Sequence, residues 1–303
     1  LDPRDSLPEF DPRGLKLAWG QLIPRDLAQL LGDSRPVVRT RAIAELGKLG
    51  APAIGVLKEG MESGNSVEAR RNAIWALTRI DGSTARAAVR AALADPDASV
   101  QQTALHSAGM HRDAGAVPKL LQILRTGSPH LRRNAATALG RIGDKSAVST
   151  LIAGIGELGH DVARSSPQAS DAVTFSAADR VMEHALIYAL IEIGDRPGLR
   201  QAVAGGAGNQ QGSGPARSGH SAADRFQIRA ALIALDQMDG GDLTPSDVLP
   251  HLHSSDRLLK ETASWIAGHH SEWGKDLADF FRQQLARPEL PAGESDELQR
   301  QLV

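Results

Sequence analysis

Four histidines near the C-terminal end of the sequence come nearest to a metal-binding pattern. They form a His-x-His pair and a His-His pair, at His251 and His253 and at His269 and His270. A zinc site needs three or four converging ligands, often including a carboxylate. Side chains two residues apart on a helix diverge, so the first pair could serve only from a loop. We therefore predict exposed histidines at helix ends and no metal site.

The other patterns that could support catalysis are also incomplete. The sequence has no Cys, which excludes disulfides, thiolate metal sites and cysteine nucleophiles. No Ser-His-Asp arrangement has a recognisable setting. The glycine-rich run 205–214 does not follow a strand, as a phosphate-binding loop would. We predict that the chain is not an enzyme and has no cofactor.

A 31-residue repeat defines the elements that position all these side chains. Ala42, Ala73, Ala104 and Ala135 occupy the same place in four similar helical phrases. Such a period is typical of solenoids, in which each unit buries its apolar face only against its neighbours. The sequence therefore predicts an all-α solenoid, an α-α superhelix of about seven helix pairs, each with an outer and an inner helix.

The phrase returns later with a broken stride, at Ala185, Ala231 and Ala263. The extra residues fall at about 160–176 and 204–221, between the outer and inner helix of their repeats. Both inserts are therefore expected at the same edge of the solenoid. The predicted organisation is an extended lead-in over 1–20, the solenoid over 21–271 and C-terminal capping helices over 272–303.

One face of the inner helices carries arginines close to the core. At about 100° per residue, Arg70 falls beside the buried alanine, with Arg39 and Arg132 in phase. A semi-buried arginine must be paired. We therefore predict a ladder of arginines and aspartates that ties neighbouring repeats together. Its acceptors are expected among Asp33, Asp95 and Asp97.

The face opposite the core is the candidate binding surface, because inner helices line the concave side of such solenoids. It begins as a basic surface with one tryptophan and ends as an apolar surface with a second. Arginine and tryptophan are enriched at binding hot spots. The alternatives are a solvated face for the arginines and a cover of inserted loops for the isoleucines. The candidate partner-binding residues are Arg71, Trp75, Arg79, Arg133, Arg141, Ile187, Ile191, Ile233 and Trp265.

The phrase Arg-x-x-Ala-Ile-x-x-Leu-x-x-Ile-Gly resembles the short HEAT-like repeats of the phycobiliprotein-lyase type, over about 250 residues. The segments DRVMEHALIYALIEIGD, RAALIALDQMDGG and TASWIAGHHSEWG resemble the helical part of planctomycete-type secreted proteins. Those proteins carry a sugar-dehydrogenase-like propeller before this part and a c-type haem domain after it. The resemblance implies an extracytoplasmic connecting module whose partners are those domains.

The sequence as a whole predicts a non-catalytic protein-binding or scaffold module, part of a larger exported redox protein. One alternative is a phycobilin-lyase-like protein that holds a ligand or acts as a chaperone. Another is a HEAT-type nucleic-acid-binding protein, although the net charge is −2 and Glu183 and Glu261 interrupt the basic face. No apolar run approaches the length of a membrane span. Because the chain begins at Leu1 without a Met, we expect a piece of a longer protein.

Overall fold

The computed structural model of the protein describes residues 11–62, 65–165, 175–205, 221–254 and 256–286. These residues form fifteen α-helices, several joined by short 3-10 helices, and contain no β-strand. The all-α prediction is therefore confirmed. The helices are α1 (Pro24–Gln29), α2 (Pro36–Leu49), α3 (Ile54–Gly60), α4 (Val67–Thr78), α5 (Ser83–Ala91), α6 (Ala98–Met110), α7 (Val117–Thr126), α8 (Pro129–Ile142), α9 (Val148–Ser165), α10 (Ala177–Ile193), α11 (Arg196–Gly205), α12 (Ala222–Gln237), α13 (Pro245–Val248), α14 (Arg257–His269) and α15 (Gly274–Leu285).

The chain divides into two compact units, unit 1 (Leu1–Ile142) and unit 2 (Gly143–Val303). Unit 1 contains four helix pairs, and its inner helices α2, α4, α6 and α8 pack in succession. The described part of unit 2 contains three pairs, with inner helices α10, α12 and α14 packed in the same way, followed by α15. The HEAT-like repeat of seven helix pairs agrees with the predicted fold class.

The alanines of the 31-residue period lie where the inner helices of unit 1 are buried. Ala42, Ala73, Ala104 and Ala135 have no exposed surface. A small side chain at this point lets neighbouring helices approach closely, and the aliphatic side chains around it fill the core between the inner and outer helices. The predicted burial of these four alanines is confirmed.

Three residues before each of these alanines, a polar side chain holds the connection that precedes its own helix. Arg70 donates from Nη1 to the carbonyl of Asn65 at 2.7 Å. The equivalent donors and acceptors are Arg39 and Asp33 O, and Gln101 and Asp95 O. In the fourth repeat Arg132 donates to Leu124 O, in the last turn of α7. These bonds satisfy carbonyls that the connections leave without a helical partner.

The predicted arginine–aspartate ladder is confirmed at one step. Arg70 forms a bidentate ion pair with Asp95 of the next repeat, at 2.9 and 3.0 Å, and both side chains are buried. Arg39 instead pairs with Glu68 of the next repeat. The side chain of Asp97 caps the N-terminus of α6, so it is not a rung.

In unit 2 the outer helix α9 is longer than the sequence predicted. It continues to Ser165, into the segment expected to be the first insert, and packs against α12. Gly159 permits this contact, because a Cβ there would lie 2.7 Å from the ring of Phe226. Phe175, just before α10, places its ring 5.5 Å from the same phenylalanine. Residues 206–220 of the second predicted insert lie outside the described residues.

The inner helix α10 is rotated by one residue relative to the predicted register. Leu186 is fully buried, whereas Ala185 is only partly so. In α8, Gly143 follows the buried Ala135 by eight residues and ends the helix with a φ of 78°. Gly194, with a φ of 68°, follows Leu186 by eight residues. The alanine position of this repeat is therefore occupied by Leu186.

This rotation corrects the predicted binding face of α10, because one residue corresponds to about 100° around a helix. Ile187 is only 8% exposed and belongs to the core, and Ile191 is half-buried. Glu183 is also buried, so it does not interrupt a surface. From Glu183 on, the exposed positions of α10 are His184, Tyr188 and Glu192.

The two ends of the solenoid are described in part. From Asp11 on, the lead-in forms turns and a 3-10 helix instead of an extended linker, and Arg35 donates to the Asp11 carbonyl at 3.0 Å. Arg41 of α2 lies 4.3 Å from the ring centre of Trp19. At the other end, Phe281 of α15 packs into the core formed by α12 and α14. Within the described residues, no helix combines the length and apolar character that a bilayer crossing requires.

Candidate functional site

The inner helices of unit 1 expose one narrow strip, as helical periodicity predicted. It consists of the positions two before, two after and six after each buried alanine. We call the part on α4, α6 and α8 the basic strip. Its members are half-buried or exposed: Arg71, Trp75, Arg79, Gln102, His106, Met110, Arg133, Thr137 and Arg141.

An aromatic pair lies in the middle of the basic strip. The rings of Trp75 and His106 meet edge to face, with their centres 5.6 Å apart. Met110, one turn further along α6, is 54% exposed. Burial lowers the pKa of His106, and the nearby charge of Arg141 lowers it further. The imidazole therefore favours its neutral form, and the charge of the strip comes from the arginines.

Two glycines of the preceding inner helices lie beside the stems of two of these arginines. A Cβ at Gly47 of α2 would lie 2.9 Å from the Cβ of Arg79, and a Cβ at Gly109 of α6 would lie 3.5 Å from the Cδ of Arg141. The Arg79 stem thus lies along α2, in space that the missing side chain of Gly47 leaves free. At Gly109 the nearest atoms are those of Ala138, and the distance to Arg141 is an ordinary contact.

The arginines of the basic strip have no carboxylate partner among the described residues. Arg79 donates only to a carbonyl of its own helix, Trp75 O, at 3.1 Å. Elsewhere in unit 1 arginines are paired, for example Arg70 with Asp95 and Arg90 with Asp113. The charge of the strip is therefore not compensated locally.

In unit 2 the corresponding positions carry aromatic side chains in contact with histidines. Tyr188 is 49% exposed and its ring stacks on His184 at 6.2 Å. Trp265 is 45% exposed and lies 4.5 Å from the ring of His269. His269 also donates from Nδ1 to the Trp265 carbonyl at 2.7 Å, which fixes the two rings relative to each other.

A groove of about 340 Å³ lies between α12 and α14. Ile233, Leu258 and Trp265 supply its apolar lining. Polar side chains of the same two helices surround them, namely Arg229, Gln237, Glu261 and Thr262. Of the four apolar candidates predicted for this half of the chain, the structure brings Ile233 and Trp265 together at the groove. It removes Ile187 and Ile191 from the exposed row.

An ion pair shielded from most solvent lies beside this groove. Nη1 of Arg229 binds Glu183 of α10, and its Nε donates to Thr262 Oγ1 of α14 at 3.0 Å. Burial raises the pKa of Glu183, and the charge of Arg229 opposes that effect. Arg229 thus links three successive inner helices and is not free to receive an anionic ligand.

The C-terminal histidines have separate roles. His251 and His253 lie in the 3-10 segment Leu249–His253. His270 donates from both ring nitrogens, to Asp236 at 2.9 Å and to Glu272 at 2.5 Å, and stacks on Trp273. In the part of the chain that the structure describes, no group of three His, Asp or Glu side chains is placed to hold a metal ion.

Sequence reasoning missed Tyr188 and the separation of charge between the units. The signal for Tyr188 was the glycine that ends α10, since Gly194 gives the register that the alanine alone misassigned. The charge signal was present in the composition. Residues 1–142 contain 20 Lys and Arg against 14 Asp and Glu, whereas residues 143–303 contain 14 against 22. The net charge of −2 conceals a basic unit and an acidic unit.

Comparison with known families identifies the repeat. A family profile for HEAT repeats matches residues 24–97 and 87–170, across the end of unit 1 and into α9. Residues 24–170 carry HEAT repeats. No curated protein matches the chain significantly. The resemblance to planctomycete-type secreted proteins receives no support from these comparisons and stays a prediction.

Solved structures of other repeat proteins are similar to the chain. The complex of CpcE and CpcF of phycocyanin lyase from Nostoc sp. PCC7120 is 20% identical, with a TM-score of 0.41 over 98% of this chain and 100% of that one. Human deoxyhypusine hydroxylase is 18% identical, with a TM-score of 0.35 over 84% of each chain. A designed armadillo repeat protein is 15% identical, with a TM-score of 0.36 over 81% of this chain and 99% of that one. No activity follows from similarity at this level.

Proposed function

We propose that the protein is a non-catalytic scaffold that binds another protein through the groove of unit 2. The observation that carries the proposal is Trp265, which is 45% exposed at the edge of an apolar groove. Only 3% of the residues are aromatic, and tryptophan is the residue type most enriched at the energetic centres of protein interfaces. A large exposed ring held by His269 is suited to cover an apolar side chain of a partner.

The surroundings of the groove fit recognition better than catalysis. Ile233 and Leu258 provide an apolar floor, while Gln237 and Glu261 offer hydrogen-bonding groups at its edge. Arg229 is engaged with Glu183 and Thr262. The groove therefore offers an apolar contact with a polar rim, which is the usual arrangement of a small protein interface.

The finer form of the proposal names the partner as a neighbouring domain of the same parent protein. The support for it is the resemblance of 179–195, 229–241 and 262–274 to the helical part of planctomycete-type secreted proteins. Under that proposal the partners are a propeller-like domain and a c-type haem domain, and the complete protein is exported.

The test compares the wild-type protein with the variants Trp265→Ala and Ile233→Asp in affinity capture, followed by binding measurements on each purified captured protein. We expect at least a tenfold loss of affinity in both variants for a genuine partner. Val37→Ala, which shortens an exposed apolar side chain on α2 of unit 1, is the matched control and should bind normally. Equal binding by all four proteins, with unchanged circular dichroism, would contradict the proposal.

A second candidate function is the holding of a small ligand, as in the phycobilin-lyase-like alternative. The observation that favours it is the groove volume of about 340 Å³, at the lower end of the range for small-molecule sites. Titration with a linear tetrapyrrole separates the two functions. The ligand function predicts that the tetrapyrrole quenches the tryptophan fluorescence of the wild-type protein saturably. This quenching should disappear in Trp265→Phe and Ile233→Asp, while both variants still bind the partner protein as the wild type does.

A further inference from the structure

The four arginines of the basic strip form a regular frame. Arg71 on α4 and Arg79, the residue that directly follows α4, are eight residues apart, as are Arg133 and Arg141 on α8. Eight residues of helix span about 12 Å. Helix α6 lies between α4 and α8, and packed helices are about 8–10 Å apart, so the two arginine pairs are separated by roughly 16–20 Å.

The side chains inside this frame are neutral or apolar. His106 occupies its centre, Trp75 and Thr137 lie on either side of it, and Gln102 and Met110 lie between the arginines at its two ends. The frame therefore combines four cationic corners with aromatic and thioether side chains between them. None of the four arginines has a carboxylate partner among the described residues, and the first 142 residues carry an excess of basic residues. The surface is therefore complementary to an acidic partner.

We propose that the basic strip binds an acidic segment of a partner protein in an extended conformation. A carboxylate at each end of the segment would pair with Arg71 or Arg79 on one side and Arg133 or Arg141 on the other. An extended chain covers about 3.3 Å per residue, so the frame spans five or six residues. An apolar or aromatic residue in the middle would pack against Trp75, His106 and Met110.

The frame fits a peptide better than a nucleic acid. A nucleic-acid strand carries a phosphate on every nucleotide, whereas the frame has Gln102 and Thr137 between its arginines. Most phosphates that crossed the strip would lack a cation, and few counterions would be released. Guanidinium groups also bind carboxylates through two parallel hydrogen bonds.

The test uses the full chain and a fluorescein-labelled peptide of seven residues, with two glutamates at each end and a central phenylalanine. We expect saturable binding in fluorescence anisotropy at low salt, weakening as NaCl is added. The double variant Arg71→Gln with Arg133→Gln should lose at least tenfold in affinity, and Trp75→Ala at least threefold. Arg25→Gln, on the outer helix α1, is the matched control and should bind as the wild type does.

The outcomes separate this proposal from the groove of unit 2 and from nucleic-acid binding. Trp265→Ala should bind the peptide normally, because the two surfaces share no residue. Binding that the arginine substitutions leave unchanged, or no binding at low salt, would overturn the proposal. Tighter binding of a twelve-nucleotide oligothymidylate than of the peptide, lost in the same double variant, would overturn it in favour of nucleic acid. Unchanged thermal unfolding confirms that each variant is folded.

Discussion

Individual charged residues in this protein differ mainly in whether their charge is buried. Arg70 and Asp95 are almost inaccessible to solvent and form two hydrogen bonds. Arg25 and Glu59 are both exposed to solvent and form a single contact at 3.5 Å. A buried pair repays its desolvation only while both partners are present. Exposed pairs contribute little, because water and salt screen them.

Replacing Arg70 with Ala should therefore be strongly destabilising. The substitution leaves the carboxylate of Asp95 buried without its cation and also removes the bond to the Asn65 carbonyl. We expect a loss of about 3 kcal/mol in the free energy of unfolding, measured by urea denaturation. Arg25→Ala is the control and should leave the midpoint unchanged. A small effect for Arg70→Ala would show that this pair is not a structural tie between repeats.

His270 should make stability depend on pH. Burial lowers its pKa, but hydrogen bonds to Glu272 and Asp236 outweigh burial, and the net shift is upward from 6.5. Because the folded-state pKa exceeds that of the unfolded chain, the stabilisation is complete below about pH 6.5 and is lost as pH rises through the folded pKa. The stability difference between wild type and His270→Gln should therefore shrink from about pH 5.5 to 8.5. A stability difference that stays constant with pH would refute the assignment.

At the scale of the element, the register of a helix follows from its neighbours as well as from its own pattern. In α4, α6 and α8 the alanine that the constant stride predicts to be buried is the one that is buried. In α10 the preceding helix α9 runs longer and packs on α12, and α10 turns by one residue to bury Leu186 and Ile187. This rotation is what exposes Tyr188.

Two alanine-to-leucine substitutions test this rotation. Ala104 is fully buried where the inner helices pack, so the larger side chain of Ala104→Leu should lower the free energy of unfolding by roughly 1–3 kcal/mol. Ala185→Leu occupies the same position in the sequence phrase but is partly exposed, and we expect almost no change in its melting temperature. If thermal unfolding shows that the two variants are equally destabilised, the register predicted from the sequence is correct and Ile187 is exposed.

At the scale of the whole molecule, the protein consists of two repeat units of opposite charge with different exposed surfaces. Unit 1 presents arginines around a tryptophan, and unit 2 presents aromatic rings beside an apolar groove. In a repeat protein each helix pair contacts mainly its neighbours, so stability is approximately a sum of local terms. Perturbations should therefore remain local.

Hydrogen exchange should reveal this locality. In the Ala104→Leu variant, amide exchange should accelerate in α4, α6 and α8, which pack in succession around the altered residue. Exchange in α12 and α14 of unit 2 should change little, because the stability of a repeat protein is approximately a sum of local terms. Mass spectrometry of peptic peptides resolves the two regions. Uniform acceleration across both would mean that the chain unfolds as one cooperative block.

Much of the architecture was predictable from local pattern. A constant stride of 31 residues predicts the inner helices from α2 to α8 and the exposed strip of unit 1. It also predicts the burial of Ala42, Ala73, Ala104 and Ala135. A constant stride repeats the same angular positions on each helix, so one correct assignment extends to the next repeat.

The remaining features depended on contacts between segments far apart in the chain. The extension of α9, the contact of Gly159 with Phe226, the pairing of Arg229 with Glu183 and the register of α10 all join residues about 45 or more positions apart, or result from such packing. Which arginines lack partners is likewise decided by the carboxylates that packing brings within reach. Periodicity encodes the face of a helix on which a residue lies, but the identity of its neighbour is set only when the helices pack.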